Sequence, residues 1–499
     1  MHAVTAGGHL AMFRAGQRGS LGWVDNGRAP RLAQLTSPAL GHGDTYQALA
    51  LGLRSLVLDG QLVVGARVAS ERDLARELGL SRATVSAAYR RLRAEGFLRS
   101  DRGGGTRVHV PGTHPTRPDE PVPAGEDVID LTIAALPAPG LLLEVVAQAT
   151  ASLPSVVAGP GLHPFGLAQL RRAIAGHLGA RGLDTSPEQI LVTQGALHGW
   201  DLVLRAFARP GDRVLAEQPT YPAVLDAARA HHTRPLPLGI SAAGWDTGGA
   251  GARRGTVAPV LAHLTPEYQN PTGLRLCTAA RRQLLLALPT GTTVVCDDTF
   301  ADLGLEPEPD PPAPFAALAA AGRVITLGSL SKSCWAGLRI GWIRADQATI
   351  RRLATARTSQ DLGSPVLEQL VARVLLERFD EFMPERRRAL LMRRNHLLDR
   401  LSTALPGWQP SVPRGGLATW VDLGGRASST RLATAALACG VRLTPGPRFS
   451  LSGTHDRFLR LPFSLPEAQL DEAAGRLVAA SHAADPRVAA ESAPLVWTA

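Results

Sequence analysis

Of the side chains able to do covalent chemistry, one amine stands apart. The 499 residues include 53 basic ones, of which 52 are arginine and one, Lys332, is lysine. Arginine stays protonated at any working pH, whereas a lysine amine can attack a carbonyl carbon. Where arginine has replaced lysine everywhere else, the surviving lysine marks a place that needs a nucleophile. Lys332 lies in RVITLGSLSKSCWAGLRIGW, where an apolar run from Val324 to Leu327 breaks into a polar turn, Gly328 to Lys332. That pattern predicts a strand ending at the rim of an open α/β sheet, where ligands bind. Ser329 and Ser331 offer hydroxyls, and Arg339 offers a fork of donors, to a phosphate. An amine among phosphate donors fits pyridoxal 5′-phosphate held on Lys332 as a Schiff base.

Other strand ends supply the remaining contacts. TTVVCD ends at Asp297, an acid suited to pair with the pyridine nitrogen, with Asp298 beside it as the alternative. TPEYQNPTG sets the Asn270 amide in a turn, within reach of the ring hydroxylate. In ILVTQGALHGWDLVLRAF a strand enters a helix through Gly195 and Ala196, whose N–H groups make an anion site. RVLAEQPTYPA places Tyr221 after a strand, where its ring could stack on the cofactor. RFLRLPFS carries Arg460, a bidentate grip for a substrate or effector carboxylate.

These positions need a scaffold. From Val128 to about Ala480, short β-branched runs alternate with longer helical patterns, the signature of an α/β domain with a mostly parallel sheet. With 45% hydrophobic and 19% charged residues the chain is globular, and its length calls for at least two folded units. No apolar run reaches the 18 or so residues of a membrane span, and the first 20 residues lack a signal-peptide core, so a cytoplasmic protein is expected. Cys277, Cys296, Cys334 and Cys439 are far apart with no C-x-x-C pair, which argues against a disulfide scaffold or zinc knuckle. His231 and His232 lack a third ligand at metal spacing, so no metal site is expected. The run Arg386–Arg388 with Arg393 and Arg394 reads as a solvated helix face.

Residues 1–40 lack periodicity and read as a loosely ordered tail. Residues 41–110 form a patterned block with 11 Arg against 7 acids, a surplus that suits a polyanionic partner. Tyr46, Leu49, Leu53, Leu56 and Val57 predict a helix over roughly 44–58. Ser70 caps a second helix, SERDLARELGL, and Ser81 a third, SRATVSAAYRRLRAEGF, with Val85, Ala88, Tyr89 and Leu92 facing inward. FLRSDRGGGTRVHV then has the alternation and glycine turn of a hairpin. Helix, turn, helix and wing make a winged helix-turn-helix that enters a DNA major groove. Arg72, Ser81, Arg82, Thr84 and Ser86 would face the DNA, with Arg102, Gly104, Gly105 and Thr106 at the wing tip. Five prolines between Pro111 and Asp127 predict a semi-rigid linker over 111–127. The large domain is expected over 128–485, with a tail over 486–499.

The head resembles GntR-type regulators through S-E-R-D-L-A-x-x-L-G-L-S-R-x-T-V-x-x-A-Y-x-x-L-x-x-E-G. The large domain resembles the fold-type I aminotransferases through S-x-S-K-x6-R and N-P-T-G. Together they resemble the MocR family of bacterial regulators. That resemblance implies that Lys332 forms the internal aldimine, Asp297 bonds the ring nitrogen and Asn270 the ring oxygen. By the same resemblance Gly195, Ala196, Ser329, Ser331 and Arg339 hold the phosphate, Tyr221 stacks, and Arg460 grips a carboxylate. Two departures bear on turnover. Thr299 and Phe300 stand where many such domains place a tyrosine on the ring oxygen, and Gly161, near His163, stands where another tyrosine is usual. The implied function is a cytoplasmic, DNA-binding homodimer, nucleoid-associated when bound, that senses the cofactor and an amino-acid-like effector. The alternative is a working aminotransferase with a DNA-binding head.

Overall fold

A computed structural model describes residues 29–36, 45–58, 62, 67–101, 105–109, 127–241, 244–247, 258–308, 311–424 and 427–484. The head comprises α1 (Ala29–Thr36), α2 (Thr45–Leu58), α3 (Glu71–Leu78), α4 (Arg82–Ala94) and the antiparallel pair β1 (Leu98–Asp101) and β2 (Gly105–Val108). Ser70 begins α3 by accepting the Asp73 N–H at 3.1 Å, and Ser81 begins α4 by accepting the Thr84 N–H at 3.1 Å. Between them Gly79 sits at φ 65°, the left-handed turn that lets α3 stop and α4 start at once. Leu49, Leu53, Leu74, Val85, Tyr89 and Leu92 fill the core, and the Tyr89 hydroxyl donates to Ala69 O at 3.0 Å. Tyr46, in the first turn of α2, is 37% exposed. The segment before α3 joins the wing, where the Val68 N–H donates to Thr106 O at 3.0 Å.

The tail expected over residues 1–40 contains a helix. α1 buries Leu32 and Ala33 in the head core, and the Thr36 hydroxyl donates to Leu32 O at 2.8 Å. Its apolar stripe spans barely two turns and is lost among flanking Gly and Arg, so periodicity over a long window misses it.

After the two-residue β3 (Ile129–Asp130), the large domain builds a sheet from β4 (Ile190–Thr193), β5 (Arg213–Gln218), β6 (Arg234–Ser241), β7 (Gly244–Trp245), β8 (Leu261–Leu264), β9 (Thr293–Asp297), β10 (Val324–Ser329) and β11 (Gly341–Arg344). Its spatial order is β4-β11-β10-β9-β8-β5-β6-β7. Pairings are parallel from β10 through β6, while β11 runs antiparallel to both neighbours and β7 antiparallel to β6. Alternation assigns each strand's side chains to two covered faces. On β4, Leu191 joins Trp200 and Val203 of the helix Ala196–Phe207, whereas Ile190 and Val192 join Leu170, Ile174 and Leu370 on the opposite side.

A second, antiparallel sheet has the order β12 (Gln409–Pro410), β13 (Ala418–Asp422), β16 (Phe458–Pro462), β15 (Thr444–Pro445). β3 pairs in parallel with β14 (Val441–Arg442) beside it. Arg476, on the helix Glu467–Ala484, donates from Nη1 to Asp127 O at 2.8 Å and to Gly440 O at 2.9 Å.

Of the arginine run only Arg388 is exposed as a solvated face would be; the other four reach partners. On the helix Phe379–Ala404, Arg386, Arg387 and Arg393 donate to the carbonyls of Pro137, Asp302 and Ser464, and buried Arg394 pairs with Glu306 at 2.7 Å. Long guanidinium stems reach backbone acceptors on neighbouring segments, which a charge count along one helix does not reveal. Among the described residues no helix is long and apolar enough to cross a membrane.

Candidate functional site

The carboxyl ends of β4, β5, β8, β9 and β10 face one rim. Register brings Gly341 opposite both Ser329 and Thr193. A Cβ on Gly341 would lie 2.6 Å from Gly328 O and 2.7 Å from Gly195 Cα, so only glycine lets the chain past β4 approach β11 this closely. Gly195, at φ 96°, turns into the helix Ala196–Phe207, and its carbonyl accepts the Thr193 hydroxyl at 2.9 Å. The first N–H groups of that helix are those a helix leaves without internal partners. Arg339 donates from Nη2 to Gln194 O at 2.8 Å and lies against Gly195, where a Cβ would stand 3.3 Å from that nitrogen. The expected polar turn before Lys332 is one turn of helix, Leu330–Ser333, capped by Ser329, which accepts the Ser331 N–H at 3.1 Å. The Ser329 and Ser331 hydroxyls are 3.0 Å apart. Gly195, Ala196, Ser329, Ser331 and Arg339 therefore share one corner.

Lys332 is half-buried beside it, and Nζ donates to Ala134 O at 2.6 Å. Desolvation brings its amine from the usual 10.5 down to about 8; the Arg460 and Arg339 charges push the same way and Asp297 opposes them. Arg460, on β16, is 4% exposed and donates to Thr132 O. Its guanidinium carbon stands 5.5 Å from the Phe449 ring centre, and its Nε is buried with no hydrogen-bond partner. Among the described residues no carboxylate comes within ion-pair distance of it. Burial lowers it to about 10, against the opposing pull of the Tyr221 phenol, 42% exposed at the start of the helix Pro222–Ala230, and of Asp130.

Asp297 closes β9 and accepts the Thr299 N–H at 3.0 Å. Asp298, the alternative, is buried 3.7 Å from Arg181, and desolvation raises its carboxyl to about 7. Asn270 Oδ1 and Thr299 Oγ1 are buried without a partner among the described residues. A cleft beside them is lined by Ala134, Gln269, Asn270, Phe300 and Leu417. Phe300 brings no hydroxyl to it. At Gly161, φ 73°, a Cβ would meet nothing within 4 Å.

Four contributors escape the sequence reading. Glu217 on β5 is fully buried and accepts from Trp245 Nε1 at 2.7 Å, the Thr265 N–H at 3.0 Å and Gln269 Nε2 at 3.2 Å; desolvation raises it to about 8. His263 on β8 is buried edge-on to Trp200, 4.8 Å between ring centres, and burial lowers it to about 4 against the pull of Asp297. Both interrupt apolar strand runs, a signal the sequence does contain. The Thr132 and Ala134 carbonyls carry no side-chain signal at all.

In the head, Arg72, Ser81 and Arg82 are exposed, and Thr84, Ser86, Gly105 and Thr106 are half-buried. The Ser81 and Thr84 hydroxyls are 2.8 Å apart, which ties both to capping α4. Arg93 reaches Glu71 at 2.6 Å and fixes α4 against α3. Arg102 and Gly104 of the expected wing tip lie outside the described residues.

The aminotransferase class I and II family matches residues 126–477, and the bacterial regulatory protein gntR family matches residues 45–108. The chain is 31% identical to the pyridoxine biosynthesis transcriptional regulator PdxR of Corynebacterium glutamicum, over 73% of this chain and 80% of that protein. It is 28% identical to the HTH-type transcriptional regulator YisV of Bacillus subtilis, over 83% and 90%. Its fold is similar to LysN, the α-aminoadipate aminotransferase of Thermus thermophilus solved with N-(5′-phosphopyridoxyl)-L-leucine. That match has TM-score 0.66 and 29% identity, and covers 72% of this chain and 93% of that one.

Proposed function

Because the chain belongs to the aminotransferase class I and II family and bears a gntR-family head, the MocR-type pairing, we propose that it is a cytoplasmic transcriptional regulator. Its head binds operator DNA, and its large domain reads pyridoxal 5′-phosphate and an amino compound that carries a carboxylate. One observation carries this reading: the single lysine stands half-buried in the shared field of Arg460, Asp297 and Arg339, on a chain that also has a capped, winged recognition helix.

The donors fit the cofactor. A helix amino terminus with Arg339 and two hydroxyls suits a phosphate; the unpartnered Asn270 and Thr299 oxygens line the place for a polar ring edge. Bound there, the cofactor supplies an aldehyde that captures amines and a ring that accepts electron density. Lys332 offers an amine that loses its proton readily. Asp297 would hold a proton at the ring nitrogen, Asn270 would bond the ring oxygen and Tyr221 would stack on the ring. Gly195, Ala196, Ser329, Ser331 and Arg339 hold the phosphate, and Arg460 grips the carboxylate. Arg72, Ser81, Arg82, Thr84, Ser86, Gly105 and Thr106 face the DNA. An effector that binds two arrangements of the large domain unequally shifts DNA affinity by that difference. Two copies joined through their large domains would present two heads to two half-sites.

Anisotropy titration with genomic fragments, with and without cofactor, tests the reading. Salt-sensitive, sequence-specific binding is expected; no specific binding in any cofactor state overturns it. A second reading, turnover as an aminotransferase, draws on the buried Arg460, which has no carboxylate at ion-pair distance among the described residues. The missing hydroxyl at Phe300 weighs against fast rates.

A further inference from the structure

The chain past Asp127 crosses the pocket with peptide carbonyls turned toward buried Arg460 and half-buried Lys332. Asp130 fixes this strap: Oδ1 accepts the Thr132 N–H at 2.8 Å and its hydroxyl at 2.6 Å, and Oδ2 lies 3.3 Å from Arg442. With β3 on β14 and the Leu131 N–H donating to Arg442 O at 2.9 Å, the strap belongs to the small-sheet layer. Thr132 gives its carbonyl to Arg460 of that same layer. Ala134, two residues on, gives its carbonyl to Lys332 of the large sheet. The second contact is therefore a tie between layers, seven residues from Asp127, where the proline-rich segment ends.

On the footing of the cofactor site proposed above, we infer that chemistry at Lys332 itself cuts this tie and so reports cofactor loading to the segment leading to the head. When the neutral amine condenses with an aldehyde, a C=N bond forms and the C=O bond breaks. Both Nζ hydrogens leave with the carbonyl oxygen as one water. The nitrogen is then left without an N–H, and reprotonation returns only one, so the amine's freely turning donors for Ala134 O are lost. The buried Ala134 carbonyl loses its donor, a cost that the strap escapes by moving.

Hydrogen exchange of the full chain tests this under three conditions: alone, with pyridoxal phosphate, and with pyridoxine 5′-phosphate, which has an alcohol in place of the aldehyde. Pyridoxal phosphate should speed exchange of the Leu131–Leu136 amides roughly tenfold, while pyridoxine phosphate should leave them unchanged or slower. Two results overturn the inference: unchanged or slower exchange once absorbance shows that pyridoxal phosphate is bound, or equal acceleration by the alcohol. Failure to take up either compound instead overturns the proposed cofactor site, and the inference with it. Asp130→Ala, which removes the strap's turn, should exchange fast in all three conditions. Wild-type protection in that variant also overturns the inference.

Discussion

Gly341 and Gly195 meet backbone to backbone: a methyl group on Gly341 would stand 2.7 Å from Gly195 Cα. The start of the helix Ala196–Phe207 is thus seated by the seam between β4 and β11. Gly341→Ala should cost about 1–3 kcal/mol, as overpacking usually does, and should push Gly195 outward. A lower melting temperature together with weaker uptake of pyridoxal phosphate is expected. A stable variant with unchanged uptake would separate this seam from the site.

Lys332→Arg keeps a positive charge at the rim and removes the only side-chain amine. Borohydride treatment after incubation with pyridoxal phosphate should then fix no cofactor on any side chain, whereas the parent protein should be labelled at Lys332 alone. Peptide mapping reads the result, and circular dichroism should be unchanged.

The lowered basicity of Lys332 predicts a pH profile. Capture needs the unprotonated amine, and a value of about 8 in place of 10.5 raises its fraction at pH 7 roughly 300-fold. The rate of cofactor uptake should climb about tenfold per pH unit up to about pH 8 and then level off. Stopped-flow absorbance would show it; a climb continuing toward pH 10 would mean an amine as basic as one in water.

Glu217 predicts a dependence of stability on pH. Its folded value, about 8, lies above the ordinary 4.5, so the folded chain holds a proton that the unfolded chain releases between them. The stability this group contributes is complete below about pH 4.5 and is lost as pH rises through about 8. Glu217→Gln cannot titrate, so its melting temperature should fall less between pH 5 and 8.5 than that of the parent.

In the head, exposed Arg82 begins the recognition helix and exposed Arg72 lies in the first turn of α3. Replacing either by alanine should weaken DNA binding. If the lost contact is to a phosphate, the loss should be uniform across sequences and the slope of log affinity against log salt should shrink by about one. A sequence-dependent loss would instead assign that arginine to a base edge.

Much of this architecture was legible in advance because it rests on local signals. Ser70, Gly79 and Ser81 declare their helix boundaries, and the break after Leu327 puts Lys332 at a strand end. The aminotransferase-like and GntR-type resemblances rest on those same positions. What stayed hidden depends on partners distant in sequence. Leu32 and Ala33 reveal a helix only once the head core receives them. Arg386, Arg387, Arg393 and Arg394 look solvent-facing until the carbonyls they reach are in place. Thr132 and Ala134 act through peptide oxygens, which every residue has, so no residue type announces them. Glu217 and His263 were visible as polar interruptions in apolar strands, but their partners Trp245 and Trp200 come together only through the sheet.

Arg476 clasps Asp127 and Gly440 with one nitrogen. Asp127, where the proline-rich segment ends, is thereby riveted to the helix Glu467–Ala484, far along the sequence from the head. Along the chain this clasp precedes β3 and the Thr132 and Ala134 contacts, so a pull on Asp127 meets the helix Glu467–Ala484 before it meets the strap. Trimming that helix would release the clasp and also open the core that Leu470, Ala473, Leu477 and Ala480 help to fill.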